Sequence, residues 1–155
     1  MFPLDNLSTV VELAPIGGHV GSFAPGGESA AHELLKLYVA SHPGLLGLSS
    51  TARSHVDYRF ATGDCVDILV QNHMPDRTVV AVEVEGEQHV RVGIHQAIKF
   101  RSLAAVDAGY PLLTARVRSF VAAYDTQYPL AEQLAERYEV TLLSVPQENV
   151  LATAV

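Results

Sequence analysis

The chain has 155 residues, 48% hydrophobic and 17% charged, with 10 Lys and Arg against 17 Asp and Glu, a net charge of -7 and a mean hydropathy of +0.19. Those figures describe one folded domain and exclude a disordered chain, a collagen, a coiled coil and a disulfide scaffold. They also exclude a strong general affinity for polyanions, so any nucleic-acid role must rest on a local positive cleft.

In chain order, Met1-Phe2-Pro3-Leu4-Asp5 has no cationic start followed by an apolar run, so no signal peptide is expected. No apolar stretch approaches the roughly 20 residues of a membrane helix, and the expected location is the cytoplasm. Residues 1–27, rich in Gly and Pro, read as an N-terminal loop segment with one short strand near residues 10–13. Gly-Gly-His-Val-Gly-Ser within it lacks the lysine of a phosphate-binding loop. From Glu28 onward Leu34, Leu35, Tyr38 and Val39 recur at helical spacing until His42-Pro43-Gly44 ends the helix.

Residues 55–60 and 65–70 then read as a hairpin about the turn Thr62-Gly63-Asp64. The single cysteine, Cys65, cannot form an internal bridge, and its apolar strand points to a core role rather than a nucleophile. A third strand, residues 79–85, alternates Val80, Val82 and Val84 on one face with Val79, Ala81, Glu83 and Glu85 on the other. A helix is expected over residues 92–108, then a strand near 116–123, a helix over 129–138 and a strand over 140–145; residues 146–155 read as a tail. The order α-β-β-β-α-β-α-β requires a mixed sheet, because a hairpin gives antiparallel neighbours and strand-helix-strand crossovers give parallel ones.

Glu83 and Glu85 stand roughly 7 Å apart on one side of their strand, and Asp67 interrupts the apolar run of the strand before it. If those strands pair, Asp67 lies opposite or diagonal to Glu83. Carboxylates among apolar neighbours are costly to bury, and a hard divalent cation, Mg²⁺ or Mn²⁺, would remove that cost. A sheet with one solvated face would place the same two glutamates equally well. Gln96 and Lys99 share a face of the next helix, in a chain whose only lysines are Lys36 and Lys99. Placed over the carboxylate strand, Lys99 would hold a water or a phosphate oxygen; otherwise it is a solvated helix lysine.

Three stretches together, Gly63-Asp64-Cys65-Val66-Asp67, Val82-Glu83-Val84-Glu85 and Gln96-Ala97-Ile98-Lys99-Phe100-Arg101, resemble the PD-(D/E)XK nuclease superfamily, in particular its small bacterial members. The resemblance implies a three-layer α/β/α restriction-endonuclease-like core over residues 28–145. It implies a Mg²⁺ or Mn²⁺ site on Asp67 and Glu83, with Gln96 and Lys99 bordering it. Glu33 in the first helix matches the additional acid of many members, or else pairs with Lys36 or His32. Where the superfamily has lysine two residues after the strand acid, this chain has Glu85. Some members with glutamate there still cut, the second acid serving as ligand or base and a helix lysine replacing the missing one; the alternative is a site that has lost its chemistry.

The expectation is therefore a metal-dependent nucleic-acid phosphodiesterase acting through Asp67, Glu83, Glu85, Lys99 and Gln96, or an inactive nuclease-fold module that binds nucleic acid or a protein partner. DNA is the expected polymer, with a homodimer or a partner subunit as a further possibility. Residues 88–102 contain no acid, and Arg91, Arg101 and Arg59 are the candidate phosphate contacts. Arg101 also falls within the apolar arc of its helix, where it would snorkel or pair internally. His89 and His95 lack the spacing of a helical metal pair, and no Gly-x-Ser-x-Gly elbow occurs. Tyr124, Asp125 and Tyr128 read as turn-packing residues.

Overall fold

The computed structural model describes residues 29–86, 89–125 and 129–154. The strand expected near residues 10–13 lies outside them. The first helix, α1 (Ala30–Ser41), starts where the Ser29 hydroxyl accepts the His32 backbone N–H at 3.2 Å, which satisfies one of the open donors of the first turn. It stops at His42, and Pro43 opens a short 3-10 turn over Pro43–Leu46. The hairpin follows as β1 (Arg53–Arg59) and β2 (Cys65–Gln71), with Gly63 at φ +92° supplying the left-handed residue of the turn.

Then come β3 (Val79–Val84), α2 (Val90–Asp107), β4 (Val117–Tyr124), α3 (Pro129–Arg137) and β5 (Thr141–Val145). Residues for which the sequence offered no element form α4 (Gln147–Thr153), whose Val150 is buried beside Leu35 and Val39 of α1. The strands lie in sequence order, β1-β2-β3-β4-β5. The first three are antiparallel neighbours and the last three parallel ones, the pattern that hairpin and crossovers require.

The core has two sides. Val80, Val82 and Val84 face α1 and α4 with Phe120 and Ala122, whereas Val79 and Ala81 face α2 with Phe100 and Ala104. A third cluster joins α2 to α3 through Ile94, Ala97, Val121, Ala131 and Ala135. Helices thus cover both faces, and every residue of β3 is buried. That is the three-layer α/β/α core expected. No helix among the described residues is long and apolar enough to cross a membrane.

One strand breaks its own period. In β2, Ile68 and Val70 belong to the α1 side, but Val66 joins Leu69 on the α2 side. Strict alternation would put Val66 with Ile68. The break falls at Asp67, across from Asp57, which takes a left-handed φ of +52° in β1. Asp57 is held there by the Lys36 ammonium, 2.9 Å from its carboxylate.

Candidate active site

The sheet opens where the acids stand. The last ladder pair joining β2 to β3 is Ile68 with Val82, so one step further Asp67 is opposite Glu83. In place of the continued ladder, the Asp67 carboxylate accepts the Val84 backbone N–H at 2.7 Å. The side chain fills the fork between the strands, and its remaining acceptor capacity is left for another partner.

Glu83 and Glu85 are buried, 9% and 8% exposed. This removes the solvated-face explanation: a wet sheet surface would leave both in water. Burial drives the Glu83 carboxyl well above the usual carboxylate range, and the charges of Asp67 and Glu85 add to the effect while Lys99 opposes it. Burial also pushes Glu85 up to about 7, helped by Asp67 and opposed by His32. Glu83 Oε1 is buried with no hydrogen-bond partner among the described residues. An oxygen in that condition is costly unless something supplies positive charge or a donor.

Helices close the site from both layers. From α1, His32 Nε2 comes within 3.8 Å of Asp67 Oδ2. Glu33, read as an additional acid or as a partner of Lys36 or His32, pairs with Lys36 at 3.0 Å. From α2, Gly93 meets Glu85: a Cβ there would stand 2.5 Å from Glu85 Cγ and 3.1 Å from Val121 Cγ1. The glycine is the space into which Glu85 folds. Gln96 and Lys99 follow Gly93 along α2 at intervals of three. Gln96 is half-buried, and Lys99 reaches Asp64 Oδ1 at 3.0 Å while lying 4.5 Å from the Phe100 ring centre.

Gly93→Ala is expected to destabilise the fold by up to about 2 kcal/mol. Overpacking costs about 1 to 3 kcal/mol, partly offset by the gain of about 1 kcal/mol in helix propensity. In a Glu85→Ala background the main clash is gone, and the same change should become neutral or stabilising. Urea midpoints of the four proteins check this; a Gly93→Ala cost unaffected by Glu85→Ala would remove the contact from the account.

The arginines are used differently from one another. Arg91 is exposed in the first turn of α2. Arg59 is exposed and donates to the Gly63 carbonyl of the hairpin turn at 2.9 Å. Arg101 donates to the Tyr138 and Glu139 carbonyls at 3.0 and 2.9 Å, closing the C-terminal end of α3, and is the internally paired residue that its helical phase allows. Tyr124 donates to the Ala31 carbonyl and Asp125 accepts the Gln147 N–H, so both tie strand ends to helices; Tyr128 lies outside the described residues. Cys65 is a correction. It is exposed at the start of β2 rather than buried in the core, because the strand begins there at the rim of the hairpin. Its thiol is pushed up by partial burial and then by the Asp57 charge, the opposite of an activated nucleophile.

Asp67, Glu83 and Glu85 thus come from two adjacent strands, with His32 on one side of the sheet and Gly93, Gln96 and Lys99 on the other. The residues that sequence reasoning passed over are His32, Gly93 and Asp64. Gly93 carried a signal, since a glycine inside a helix usually has a packing reason. Asp64 stood in the Gly63-Asp64-Cys65-Val66-Asp67 stretch without a role of its own and His32 only as a partner for Glu33, because their contacts here, Lys99 and Asp67, are 35 residues distant in each case.

Three solved structures share this arrangement of elements. An EndoMS–dsDNA complex matches with a TM-score of 0.54 at 14% identity, over 79% of this chain and 48% of that one. The fold is restriction-endonuclease-like. A repair endonuclease from Pyrococcus abyssi matches with a TM-score of 0.54 at 14% identity, over 78% of this chain and 48% of that one. EndoMS in its apo form matches with a TM-score of 0.50 at 13% identity, over 77% and 48%. The chain spans about half the length of these neighbours. No protein-family model and no curated protein matches its sequence.

Proposed function

We infer that the chain is a divalent-cation-dependent phosphodiesterase acting on nucleic acid, with DNA the favoured polymer. The observation that carries this reading is the burial of Glu83 and Glu85 beside Asp67, with Glu83 Oε1 unsatisfied. Acids that do nothing for function are rarely kept under such conditions, because removing any one of them would relieve the others. The fold shared with repair endonucleases supports the same reading, as does the complex of one of them with double-stranded DNA.

The donor set fits a hard cation: three carboxyl groups that are acceptor-only once ionised, one buried oxygen without a partner among the described residues, and no thiolate among them. Among the described residues no three His, Cys, Asp or Glu side chains stand together as a ready-made cage. Mg²⁺ does not need one, since it keeps several waters and binds through one or two carboxylates plus substrate phosphate oxygens. Asp67 and Glu83 would hold the ion, with Glu85 as a further ligand or as base. When bound, the ion activates water at neutral pH and neutralises charge on the scissile phosphate.

The chain's own groups do the rest. Glu85, where it is not a ligand, would take the proton of the attacking water as the new P–O bond forms, the old P–O bond breaking and the leaving oxygen taking a proton from solvent. Gln96 and Lys99 face the phosphate, and the ammonium supplies the positive charge that Glu85 cannot. One observation favours the alternative, an inactive nuclease-fold module: the residue two after Glu83 is the acid Glu85, which carries no positive charge for the phosphate. Calorimetric titration of Mn²⁺ into the wild type and an Asp67/Glu83 double mutant, followed by cleavage assays on single- and double-stranded DNA and RNA, separates the two. Mutation-sensitive micromolar uptake with cleavage supports the enzyme. Nucleic-acid binding with neither uptake nor cleavage supports the module and overturns the enzyme.

A further inference from the structure

The turn of the β1–β2 hairpin does more than reverse the chain. Its backbone closes through Phe60 N–H to the Asp64 carbonyl and Gly63 N–H to the Phe60 carbonyl, both at 2.9 Å. Within it the Thr62 hydroxyl donates to Asp64 Oδ2 at 2.7 Å, which turns the other oxygen, Oδ1, toward Lys99 Nζ at 3.0 Å. Phe60, at the root of the same turn, stacks on Phe100, the neighbour of Lys99, with ring centres 6.0 Å apart and planes at 18°. Lys99 in turn lies over the Phe100 ring at 4.5 Å. The hairpin tip therefore docks on α2 through two adjacent contacts, one aromatic and one ionic, and both converge on the lysine.

An ordinary surface ion pair joins two long, mobile side chains and contributes little. This one differs in construction. Asp64 is short, its carboxylate is oriented by Thr62, and it sits in a turn that is itself anchored to the helix it pairs with. The lysine it grips is the ammonium whose positive charge acts on Glu83 from α2, in a chain that has the acid Glu85 two residues after Glu83.

We propose that Asp64 is a positioning residue for Lys99: the Thr62–Asp64–Lys99 chain holds the helix ammonium beside the carboxylate cluster, taking over the placement that a strand lysine would have from the sheet itself. The proposal rests on the phosphodiesterase reading for its catalytic consequence, but the hold on Lys99 can be observed without any reaction. Substituting Asp64 should leave the number of charges at the acid cluster unchanged while letting Lys99 swing into solvent. Misplacement of a charge that acts on the transition state lowers kcat rather than substrate binding.

The test has two arms. Because Lys36 and Lys99 are the only lysines, a ¹H–¹⁵N spectrum of side-chain ammonium groups has two lysine signals, assigned with Lys99→Met. The wild type should give an ordered Lys99 signal that averages out in Asp64→Asn and weakens in Thr62→Val, a variant that keeps both charges. In the kinetic arm, with Mn²⁺ and a DNA duplex, Lys99→Met should lower kcat about 100-fold and Asp64→Asn about 10-fold, with KM little changed. Asp64→Asn should add nothing in the Lys99→Met background, and Asp64→Glu should restore part of the loss. A Lys99 ammonium already averaged in the wild type, or an Asp64→Asn loss that multiplies with that of Lys99→Met, overturns the proposal. An ordered Lys99 released by Asp64→Asn in a protein that cuts nothing sinks the phosphodiesterase reading alone and leaves the positioning intact.

Discussion

Asp67→Asn is expected to lower Mn²⁺-dependent cleavage by at least about 100-fold, the scale of losing a charged group at a catalytic cation site, while leaving the uncomplexed protein as stable as the wild type or more so. The two effects have separate causes. The asparagine carbonyl can still accept the Val84 N–H that Asp67 accepts at 2.7 Å, so the fork between β2 and β3 stays closed. What disappears is a negative charge, and that charge raises both Glu83 and Glu85. Its loss relieves the two buried acids and with them the fold. A residue whose removal helps stability and destroys activity is kept for function. Cleavage at the wild-type rate would remove Asp67 from the site, and a loss of several degrees in melting temperature would make it a structural residue.

The second large effect is on pH dependence, and its sign is opposite to ordinary acid denaturation. Burial pushes the Glu85 carboxyl in the folded protein up to about 7, against the ordinary 4.5 of a glutamate. Between those values the folded state binds more protons than the unfolded one, so stability falls as pH rises through that window. The change amounts to about 3 kcal/mol for a shift of this size, and Glu83, raised for the same reason, acts in the same direction. In EDTA the protein should therefore melt at a higher temperature at pH 5 than at pH 8. Glu85→Gln should flatten the profile, which separates this residue from the histidines.

Divalent cation is expected to offset much of this loss. An ion held by the ionised carboxylates would stabilise the folded state by about 2.7 kcal/mol at a hundredfold excess over its dissociation constant. Mn²⁺ should thus raise the melting temperature more at pH 8 than at pH 5. Thermal melts in EDTA and in Mn²⁺ at both pH values are sufficient. A stability that rises with pH in EDTA would contradict the buried-acid account, and an equal Mn²⁺ shift at both pH values would place the ion elsewhere.

The elements were legible in the sequence for local reasons. Val80, Val82 and Val84 alternate with Val79 and Ala81 because β3 lies between two helical layers, and the structure divides them between two cores accordingly. Thr62-Gly63-Asp64 marked the hairpin because Gly63 supplies the positive φ that the turn needs. The helix α4 was not legible: seven residues with a single buried valine, Val150, carry too little periodicity to register, and the helix is held by packing against α1. Cys65 was misplaced because an apolar neighbourhood in sequence does not reveal that a strand starts at an exposed rim.

The site divides in the same way. That Glu83 and Glu85 share a side, with Asp67 on the strand beside them, follows from alternation and strand order; that Asp67 turns into the fork to accept the Val84 N–H does not, because alternation breaks at that residue. Whether the glutamates are wet or buried does not follow, because the same alternation describes a solvated sheet face. The answer depends on α2 lying across β3 with Gly93 at the crossing, where the absence of a side chain leaves room for Glu85. The partners of the other groups are equally long-range: Lys99 with Asp64, Asp67 with His32, and Lys36 with Asp57.

Taken alone, the order of residues determined which segments are helix and strand, which strands are antiparallel, and which acids share a face. These are consequences of periods of 2 and 3.6 residues and of turn chemistry, which act over a few neighbours. Only the tertiary structure decided that Glu83 and Glu85 are buried, that His32 comes within 3.8 Å of Asp67, and that a turn aspartate holds the helix lysine. Burial and charge pairing are set by what packs against a residue from elsewhere in the chain, and spacing along the sequence carries no record of it.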